Sequence, residues 1–270
     1  MPPIRGYWGD VTSSVDWCEE NYVKTIYIAE FYNTISSFVI FLVGEYGAHL
    51  NKSNWPAIQF MFRAISIVGI GSVLFHATLK QPMQMLDEVP MLWSALIIFY
   101  AMNNIKYGMK STLWKVFLLS IGFTSTFFAI FTSGNTQFFL FHLCFGTLEL
   151  ISLWLLHTAS YELSTKFKNN CNDTAKKMFK TGLLWYLLGA VIWVCDTFYC
   201  HKVNGGIRSF LPINLQFHAW WHVFASLGLI SFTTLVVIYY YVSSGFEVDV
   251  QNHMVVLYKI KKTKLHSHKE

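Results

Sequence analysis

The sequence predicts an all-α integral membrane protein, a bundle of seven transmembrane helices, and three observations support this fold class. The chain of 270 residues is 54% hydrophobic and only 13% charged, whereas soluble domains carry about 25% charged residues. Windows such as 33–44, 91–102 and 223–242 contain no Asp, Glu, Lys or Arg, and each helix needs roughly 20 mostly apolar residues to cross a bilayer. The period-two alternation of transmembrane barrels is absent, so we expect helices.

The predicted spans are, in chain order, 27–47, 57–79, 87–104, 113–133, 137–158, 182–200 and 213–242. Glu30 opens the first span, and His76 lies near the end of the second. The third span is the shortest, and Asp87 and Glu88 occupy its first turn. These ionisable groups matter because charged or titratable side chains at membrane depth are costly and usually functional.

The later spans also carry isolated polar residues. The fourth has one charged residue, Lys115, close to its start. Glu149 lies in the fifth span and Asp196 near the end of the sixth, and the sequence assigns neither a role. The seventh span is long enough to tilt or protrude, and it begins with QFHAWWHVF, which contains His218 and His222.

Three segments follow from this division. Residues 1–26 lack an apolar core, so they are predicted not to be a cleaved signal peptide. Residues 27–242 are predicted to form a single seven-helix transmembrane bundle, because the remaining stretches are too short for a second domain. Residues 243–270 are polar and basic, ending in KIKKTKLHSHKE, and we expect a disordered, solvated cytosolic tail.

The distribution of Lys and Arg predicts the orientation. With seven spans, five of these residues fall on the side of the N-terminus and fifteen on the side of the C-terminus. Cytoplasmic loops carry the excess of positive charge, so the C-terminus is predicted to be cytosolic and the N-terminus lumenal or extracellular. The formal net charge of +5 therefore reports orientation, and no nucleic-acid partner is expected.

Several polar residues converge on one layer when they are placed by depth. The residues near the predicted lumenal ends of five different spans are Glu30, His76, Asp87, Asp196, His218 and His222. Chance placement would scatter such residues over both leaflets. This convergence predicts a functional site just below the lumenal surface.

Three histidines in that layer predict a metal site. His218 and His222 are four residues apart, so they share one helical face and can bind one metal ion. With His76 they form a three-imidazole set with one open position, which is common at catalytic zinc sites. A bound water would then be the nucleophile.

Ser72 and Asp87 are the candidate catalytic residues. Ser72 precedes His76 by four residues and could stabilise a developing oxyanion. Asp87 could exchange protons with the water and the leaving group. A serine nucleophile in a Ser-His-Asp arrangement is the less favoured alternative, because three histidines exceed what a triad uses.

Two further features lie on the predicted lumenal side. The run SSVDWCEENYVKTIYIAEF places several oxygen donors beside the membrane, namely Asp16, Glu19, Glu20, Asn21 and Glu30. A hard cation such as calcium prefers oxygen ligands, but taken alone the run is better explained as a solvated acidic entry to the first span. Cys18 and Cys200 lie in a compartment that permits disulfides, with Cys195 as a competing partner.

The runs GYWG, DWCEENY, YIAEFYNT, GSVLFHATLKQPMQMLDEVPM and QFHAWWH resemble the alkaline ceramidases, in matching order from residue 6 to about residue 242. The resemblance is greatest to the branch that also cleaves phytoceramide. It is highly specific in the combination of GSxxFHxTL, LDExPM and FHxWWH. The adiponectin receptors, which belong to the same superfamily, share seven spans and a three-histidine zinc site.

The resemblance implies an intramembrane hydrolase of the endoplasmic reticulum and Golgi that cleaves ceramide, including phytoceramide and dihydroceramide. It implies catalytic Zn²⁺ on His76, His218 and His222, with Ser72 and Asp87 completing the catalytic set. It also implies structural or regulatory Ca²⁺, with five ligands from the N-terminal segment and the start of the first span: Asp16, Trp17 through its carbonyl, Glu19, Asn21 and Glu30. The disulfide of the family corresponds to Cys18 and Cys200.

Two other functions remain as alternatives. A seven-helix zinc-containing receptor of the adiponectin-receptor type would respond to a ligand with little turnover. A transporter would use His and Asp as a proton relay and would not require zinc. The sequence leaves open the preferred acyl chain, the preferred sphingoid base and the oligomeric state.

Overall fold

The structure, a computed structural model, describes residues 6–165, 172–254 and 256–264, and it contains seven helices followed by a β-hairpin. The helices are α1 (Phe31–Leu50), α2 (Pro56–Thr78), α3 (Gln81–Tyr107), α4 (Thr112–Phe131), α5 (Gly134–Thr165), α6 (Asn172–Val203) and α7 (Phe217–Ser243). The antiparallel strands are β1 (Phe246–Met254) and β2 (Leu257–Lys264). A mainly helical bundle is therefore confirmed.

Six of the described helices, α2 to α7, are long and apolar enough to cross a membrane. The exception is α1, in which polar side chains recur along the helix at Asn33, Ser36, Ser37 and Glu45. Asn33 and Ser37 are fully buried against the rest of the bundle. These polar residues lower the mean hydropathy of α1, and the buried ones face the rest of the protein rather than lipid. That α1 crosses a membrane therefore remains a prediction.

The core of the bundle surrounds α7, which packs against α1, α2, α3, α5 and α6. Ile230, Leu235 and Ile238 of α7 are completely or almost completely buried. Within a membrane, close packing rather than escape from water holds helices together, and small residues permit it. Gly228 shows this, because a Cβ at that position would lie 2.8 Å from Cβ of Tyr186 on α6.

Several helix starts differ from the predicted spans, and the largest difference is at α6, which begins at Asn172 rather than at residue 182. The prediction that Asp87 occupies the first turn of the third helix is wrong, because α3 begins at Gln81 with Pro82 in its first turn. Proline favours that position since it has no N–H to leave unpaired. The predicted seventh span began at residue 213, whereas α7 begins at Phe217 after Gln216 in the left-handed region. His218 therefore lies in the first turn of α7.

The prediction of a disordered C-terminal tail is wrong for residues 246–254 and 256–264, which form the hairpin. Val248 pairs with Lys262 and Val250 with Ile260, and Val248 is buried. Asn51 at the end of α1 fixes the hairpin, donating from Nδ2 to the Tyr258 carbonyl at 3.0 Å and accepting from the Ile260 N–H at 3.0 Å. Tail residues 265–270 lie outside the described residues, as do residues 1–5.

Candidate active site

Three buried histidines meet where α2 and α7 lie side by side. The ring centroids of His76 and His218 are 5.0 Å apart, those of His76 and His222 4.9 Å, and those of His218 and His222 4.6 Å. Each ring offers a nitrogen within 4.8 Å of the other two, and among the described residues this is the group of three that could bind a metal ion. The i, i+4 spacing places His218 and His222 on one face of α7.

The chain holds two of these rings through their Nδ1 atoms. Nδ1 of His76 lies 2.5 Å from Oε2 of Glu30, which is completely buried. Nδ1 of His222 lies 2.8 Å from Oγ of Ser36 and 3.3 Å from Oγ of Ser37. Such contacts orient the rings, as at metal sites where a histidine uses its second nitrogen for a hydrogen bond to the protein. Nε2 of His76 and Nε2 of His222 are thereby left for a ligand.

His218 is held differently, by stacking and by its backbone. Its ring stacks on Trp17 with centroids 3.7 Å apart, and Nδ1 is buried with no hydrogen-bond partner among the described residues. Oδ1 of Asp196 accepts from the His218 N–H at 3.2 Å, while Oδ2 accepts from the Cys18 N–H at 3.1 Å. Asp196, whose role could not be predicted from the sequence, therefore ties the N-terminal segment to the start of α7.

Ser72 and Asp87 lie beside the histidines, one on each of two neighbouring helices. The Ser72 side chain lies beside the Asp87 carboxylate, and Oγ of Ser37 lies 3.0 Å from Oγ of Ser72. Both residues are buried. Asp87 thus has a fixed neighbour within the predicted polar layer, whereas the adjacent Glu88 accepts hydrogen bonds from the side chains of Gln84 and Gln137.

A close helix crossing at Gly71 sets the distance between Ser72 and Asp87. A Cβ at Gly71 would lie 1.9 Å from the Leu86 carbonyl oxygen and 2.8 Å from the Asp87 nitrogen. The Leu86 carbonyl is available for this contact because Pro90, four residues later, has no N–H to donate. Gly71 is therefore required for α2 and α3 to meet at this height.

We expect Gly71→Ala to destabilise the protein by about 1–3 kcal/mol, because the added methyl group forces two backbones apart. Thermal unfolding in detergent measures the effect. Gly146→Ala is the matched control, since a Cβ there has no atom within 4 Å and Gly to Ala inside a helix is normally stabilising. Equal unfolding temperatures for the two variants would contradict this account of the crossing.

A cavity of about 300 Å³ extends from the histidines into the bundle. Ser72, Asp87, His218 and His222 line one part of it. Apolar side chains line most of the remainder, including Ile65, Phe145, Leu153, Leu156 and Phe232. A polar reactive end joined to an apolar chamber suits a molecule with one polar group and long hydrocarbon parts.

The predicted calcium ligands lie close together but already make many contacts. Nδ2 of Asn21 donates to both carboxylate oxygens of Asp16, at 3.0 and 3.2 Å. The Glu19 carboxylate accepts from the N–H groups of Tyr32 and Asn33 in the first turn of α1. Oε1 of Glu30 accepts from the Trp17 N–H at 3.0 Å. Glu30 therefore contacts both the acidic cluster and the histidine cluster.

Two features of the acidic cluster bear on whether a cation binds there. Oδ1 of Asn21 is buried without a hydrogen-bond partner among the described residues. Burial raises the pKa of the Glu19 carboxyl to about 7, outweighing the backbone N–H groups that lower it. A nearby cation would favour the ionised carboxylate and lower that pKa.

A disulfide joins Cys18 to Cys200, whose Cα atoms are 5.3 Å apart. Cys195, the competing partner, is free. The N-terminal segment is further tied to the bundle because Nδ2 of Asn214 donates to the Cys18 carbonyl at 2.8 Å. Trp17 is thereby held against His218.

Comparison with known proteins identifies relatives along most of the chain. The ceramidase family matches residues 9–263. Alkaline ceramidase 3 of Mus musculus is 34% identical over 236 residues, which cover 83% of this chain and 82% of the relative. An alkaline ceramidase of Arabidopsis thaliana is 33% identical over 83% of each chain. An alkaline ceramidase of Drosophila melanogaster is 28% identical over 86% of this chain and 79% of its own length.

Proposed function

The chain belongs to the ceramidase family, and from that premise we propose that it hydrolyses the amide of ceramide to a sphingoid base and a free fatty acid. The observation that carries the proposal is the meeting of three buried imidazoles with Asp87 and Ser72 at one part of an apolar cavity. The relatives named alkaline ceramidases support the choice of substrate. Phytoceramide and dihydroceramide are included in the proposed substrate class.

The histidine cluster fits a zinc ion. Three neutral imidazoles are a common donor set for catalytic zinc, with a fourth position open to water or substrate. Nδ1 of His218 is buried and has no partner in the part of the chain that the structure describes, so this ring has unused bonding capacity that a metal would satisfy. We therefore assign His76, His218 and His222 as the zinc ligands. When bound, zinc supplies Lewis-acid chemistry that polarises the amide carbonyl and activates water.

Asp87 and Ser72 perform the remaining steps. Asp87 accepts a proton from the attacking water and then donates it to the nitrogen of the departing amine. The Ser72 hydroxyl donates a hydrogen bond to the amide oxygen as negative charge develops there. Their contact across the Gly71 crossing orients both groups before substrate binds. The apolar chamber holds the hydrocarbon chains and excludes bulk water.

The site is proposed to lie within a membrane, near its lumenal face. In this arrangement all seven helices, α1 included, cross the bilayer. The fifteen basic residues on the C-terminal side support a lumenal N-terminus and a cytosolic C-terminus. Membranes of the endoplasmic reticulum or Golgi are the proposed location.

A calcium ion is proposed at the acidic cluster, with Asp16, the Trp17 carbonyl, Glu19, Asn21 and Glu30 as ligands. The unpartnered Oδ1 of Asn21 supports this assignment because calcium prefers oxygen ligands. A cation here would order the segment that carries Trp17 against His218. Its role is therefore structural or regulatory.

We expect calcium to raise the unfolding temperature and Asn21→Ala to weaken that response, because the variant lacks one oxygen ligand. Calcium at 100 times its Kd would stabilise the folded protein by about 2.7 kcal/mol. Unfolding measured against calcium concentration tests this. Glu20→Gln is the control, since Glu20 is exposed and no ligand role is assigned to it. An unchanged calcium response in Asn21→Ala would exclude Asn21 from the site.

The proposed activity is tested by offering ceramide to the protein purified in detergent and detecting both products by mass spectrometry. Release of equal amounts of fatty acid and sphingoid base, lost on chelation and restored by zinc, supports a zinc-dependent ceramidase. Negligible turnover with zinc bound would favour a receptor. Turnover that is indifferent to chelation would contradict the zinc mechanism.

A further inference from the structure

A polar cluster lies in the otherwise apolar part of the cavity, away from the proposed metal. Glu149 and Ser152 of α5 and Tyr186 of α6 all line the cavity that also contains Asp87 and His222. The Tyr186 hydroxyl donates to Oε1 of Glu149. The proposed hydrolysis assigns no task to these three residues. An acid in such surroundings is costly, which makes it a candidate functional group.

This cluster retains unused hydrogen-bonding capacity. Oγ of Ser152 is buried and has no partner among the described residues. Oε1 of Glu149 is engaged by Tyr186, and the structure gives Oε2 no hydrogen bond within the described part of the chain. Glu149 and Ser152 are three residues apart on one helix, so they lie on the same face. A buried hydroxyl without a partner is uncommon and calls for a ligand or an ordered water.

The polar groups of this cluster are best matched by a hydroxyl group on a ligand. A carboxylate oxygen accepts a hydrogen bond, a serine hydroxyl donates one, and a hydroxyl group can satisfy both at once. Phe145, Leu153 and Phe232 also line the cavity, so the rest of the ligand here must be hydrocarbon. A hydroxyl carried on a hydrocarbon chain meets both conditions.

The position of the cluster indicates where on the chain that hydroxyl lies. Tyr186 packs against Gly228, which is six residues beyond His222 on α7, a rise of about 9 Å. The Tyr186 ring is near those of Trp221 and Phe232, at centroid distances of 5.5 and 6.1 Å. With the amide at the histidines, this depth corresponds to a point several carbons along a chain.

We propose that Glu149, Ser152 and Tyr186 form a subsite for a hydroxyl group near the middle of one of the two hydrocarbon chains of the substrate. The chain hydroxyl donates to Oε2 of Glu149 and accepts from Oγ of Ser152, while Tyr186 holds the carboxylate in place. The subsite deepens the proposed ceramide hydrolysis and rests on it for the placement of the amide.

The test compares ceramides that differ only in one hydroxyl. The hydroxyl is placed in the middle of the acyl chain, in the middle of the sphingoid chain, or beside the amide carbonyl. We expect one mid-chain hydroxyl to raise kcat/KM about tenfold in the wild type, in line with a hydrogen bond to a carboxylate. The mid-chain substrate whose kcat/KM rises shows which of the two hydrocarbon chains carries the recognised hydroxyl. Ser152→Ala and Glu149→Gln should remove most of that gain, whereas Ser160→Ala, outside the cavity lining, should retain it.

A binding measurement separates this proposal from the catalytic one. Ceramide analogues with an amine in place of the amide cannot be hydrolysed, and they can compete with a fluorescent lipid for the cavity. A mid-chain hydroxyl should improve competition about tenfold in the wild type and less in Ser152→Ala. If ceramide is not hydrolysed but this difference appears, the proposed function fails and the subsite stands.

Three results would overturn the subsite. A mid-chain hydroxyl could raise neither kcat/KM nor competition for the cavity, which would indicate that an ordered water, not the substrate, bonds to Ser152. The gain could persist unchanged in both Ser152→Ala and Glu149→Gln. A hydroxyl beside the carbonyl could produce the whole gain, which would place recognition at the histidines instead.

Discussion

His218→Ala is expected to remove the bound zinc and to abolish ceramide hydrolysis. Loss of a residue that only orients a zinc ligand weakens metal binding about 10–100-fold, and loss of a ligand should exceed that range. His218 is buried at the start of α7, and within residues 6–165, 172–254 and 256–264 its Nδ1 has no hydrogen-bond partner. A role in metal binding explains this burial, whereas a role in packing alone does not.

The variant is judged by zinc content and turnover measured on the same sample. His157→Ala is the matched control, because His157 lies on α5 outside the cavity lining and contacts Phe179. Loss of the stacking on Trp17 could lower stability, so thermal unfolding is measured as well, and His222→Ala provides a second ligand variant. Full activity in either ligand variant would contradict the assigned ligand set.

Asp87→Asn should lower kcat about 10²–10⁴-fold while leaving zinc bound, because it removes the group that transfers protons. Asparagine has nearly the same shape, so the crossing of α2 and α3 beside Ser72 should persist. Zinc content, KM and kcat are the required measurements. Asp173→Asn is the control, since Asp173 is an exposed residue in the first turn of α6.

A smaller effect of Asp87→Asn would reassign the proton transfer. A loss of kcat below about tenfold falls under the range of general acid–base catalysis, and Asp87 would then only position Ser72. Loss of zinc in this variant would instead indicate that the carboxylate supports the metal site. The two outcomes are distinct because metal content and turnover are measured independently.

The helical bundle and the histidine cluster could be predicted because both depend on local patterns. Apolar stretches separated by charged loops specify helices, and the i, i+4 spacing of His218 and His222 specifies a shared face. Successive spans run in opposite directions, so the end of the second span and the start of the seventh lie on the same side, which places His76 at the same predicted depth. Each step uses either residues that are near one another in sequence or the number and order of the spans, which do not depend on where each span begins and ends.

The contacts around the histidines could not be predicted because they depend on how each helix is rotated about its axis. Glu30 reaches His76 across 46 positions, and Ser36 reaches His222 across 186. The Asp196 carboxylate accepts hydrogen bonds from the backbone N–H groups of Cys18 and His218. Every residue except proline has such a group, so a pattern of side chains cannot predict these contacts. Even an accurate set of spans leaves these rotations undetermined.

The C-terminal hairpin is a different case, because the sequence does contain a signal for it. Val248 and Val250 alternate with Glu247 and Asp249, which is the period-two pattern of a half-buried strand. The basic composition of the tail obscured that pattern. Asn51 then fixes the hairpin through contacts with Tyr258 and Ile260, more than 200 residues away.

The most direct test is the zinc content of the purified protein, followed while zinc is removed and restored. The account predicts one zinc per chain in the wild type and in Asp87→Asn, none in His218→Ala, and wild-type ceramide hydrolysis that returns in proportion to the zinc restored. Ceramide hydrolysis by zinc-free protein, or one zinc per chain remaining in His218→Ala, would contradict the account.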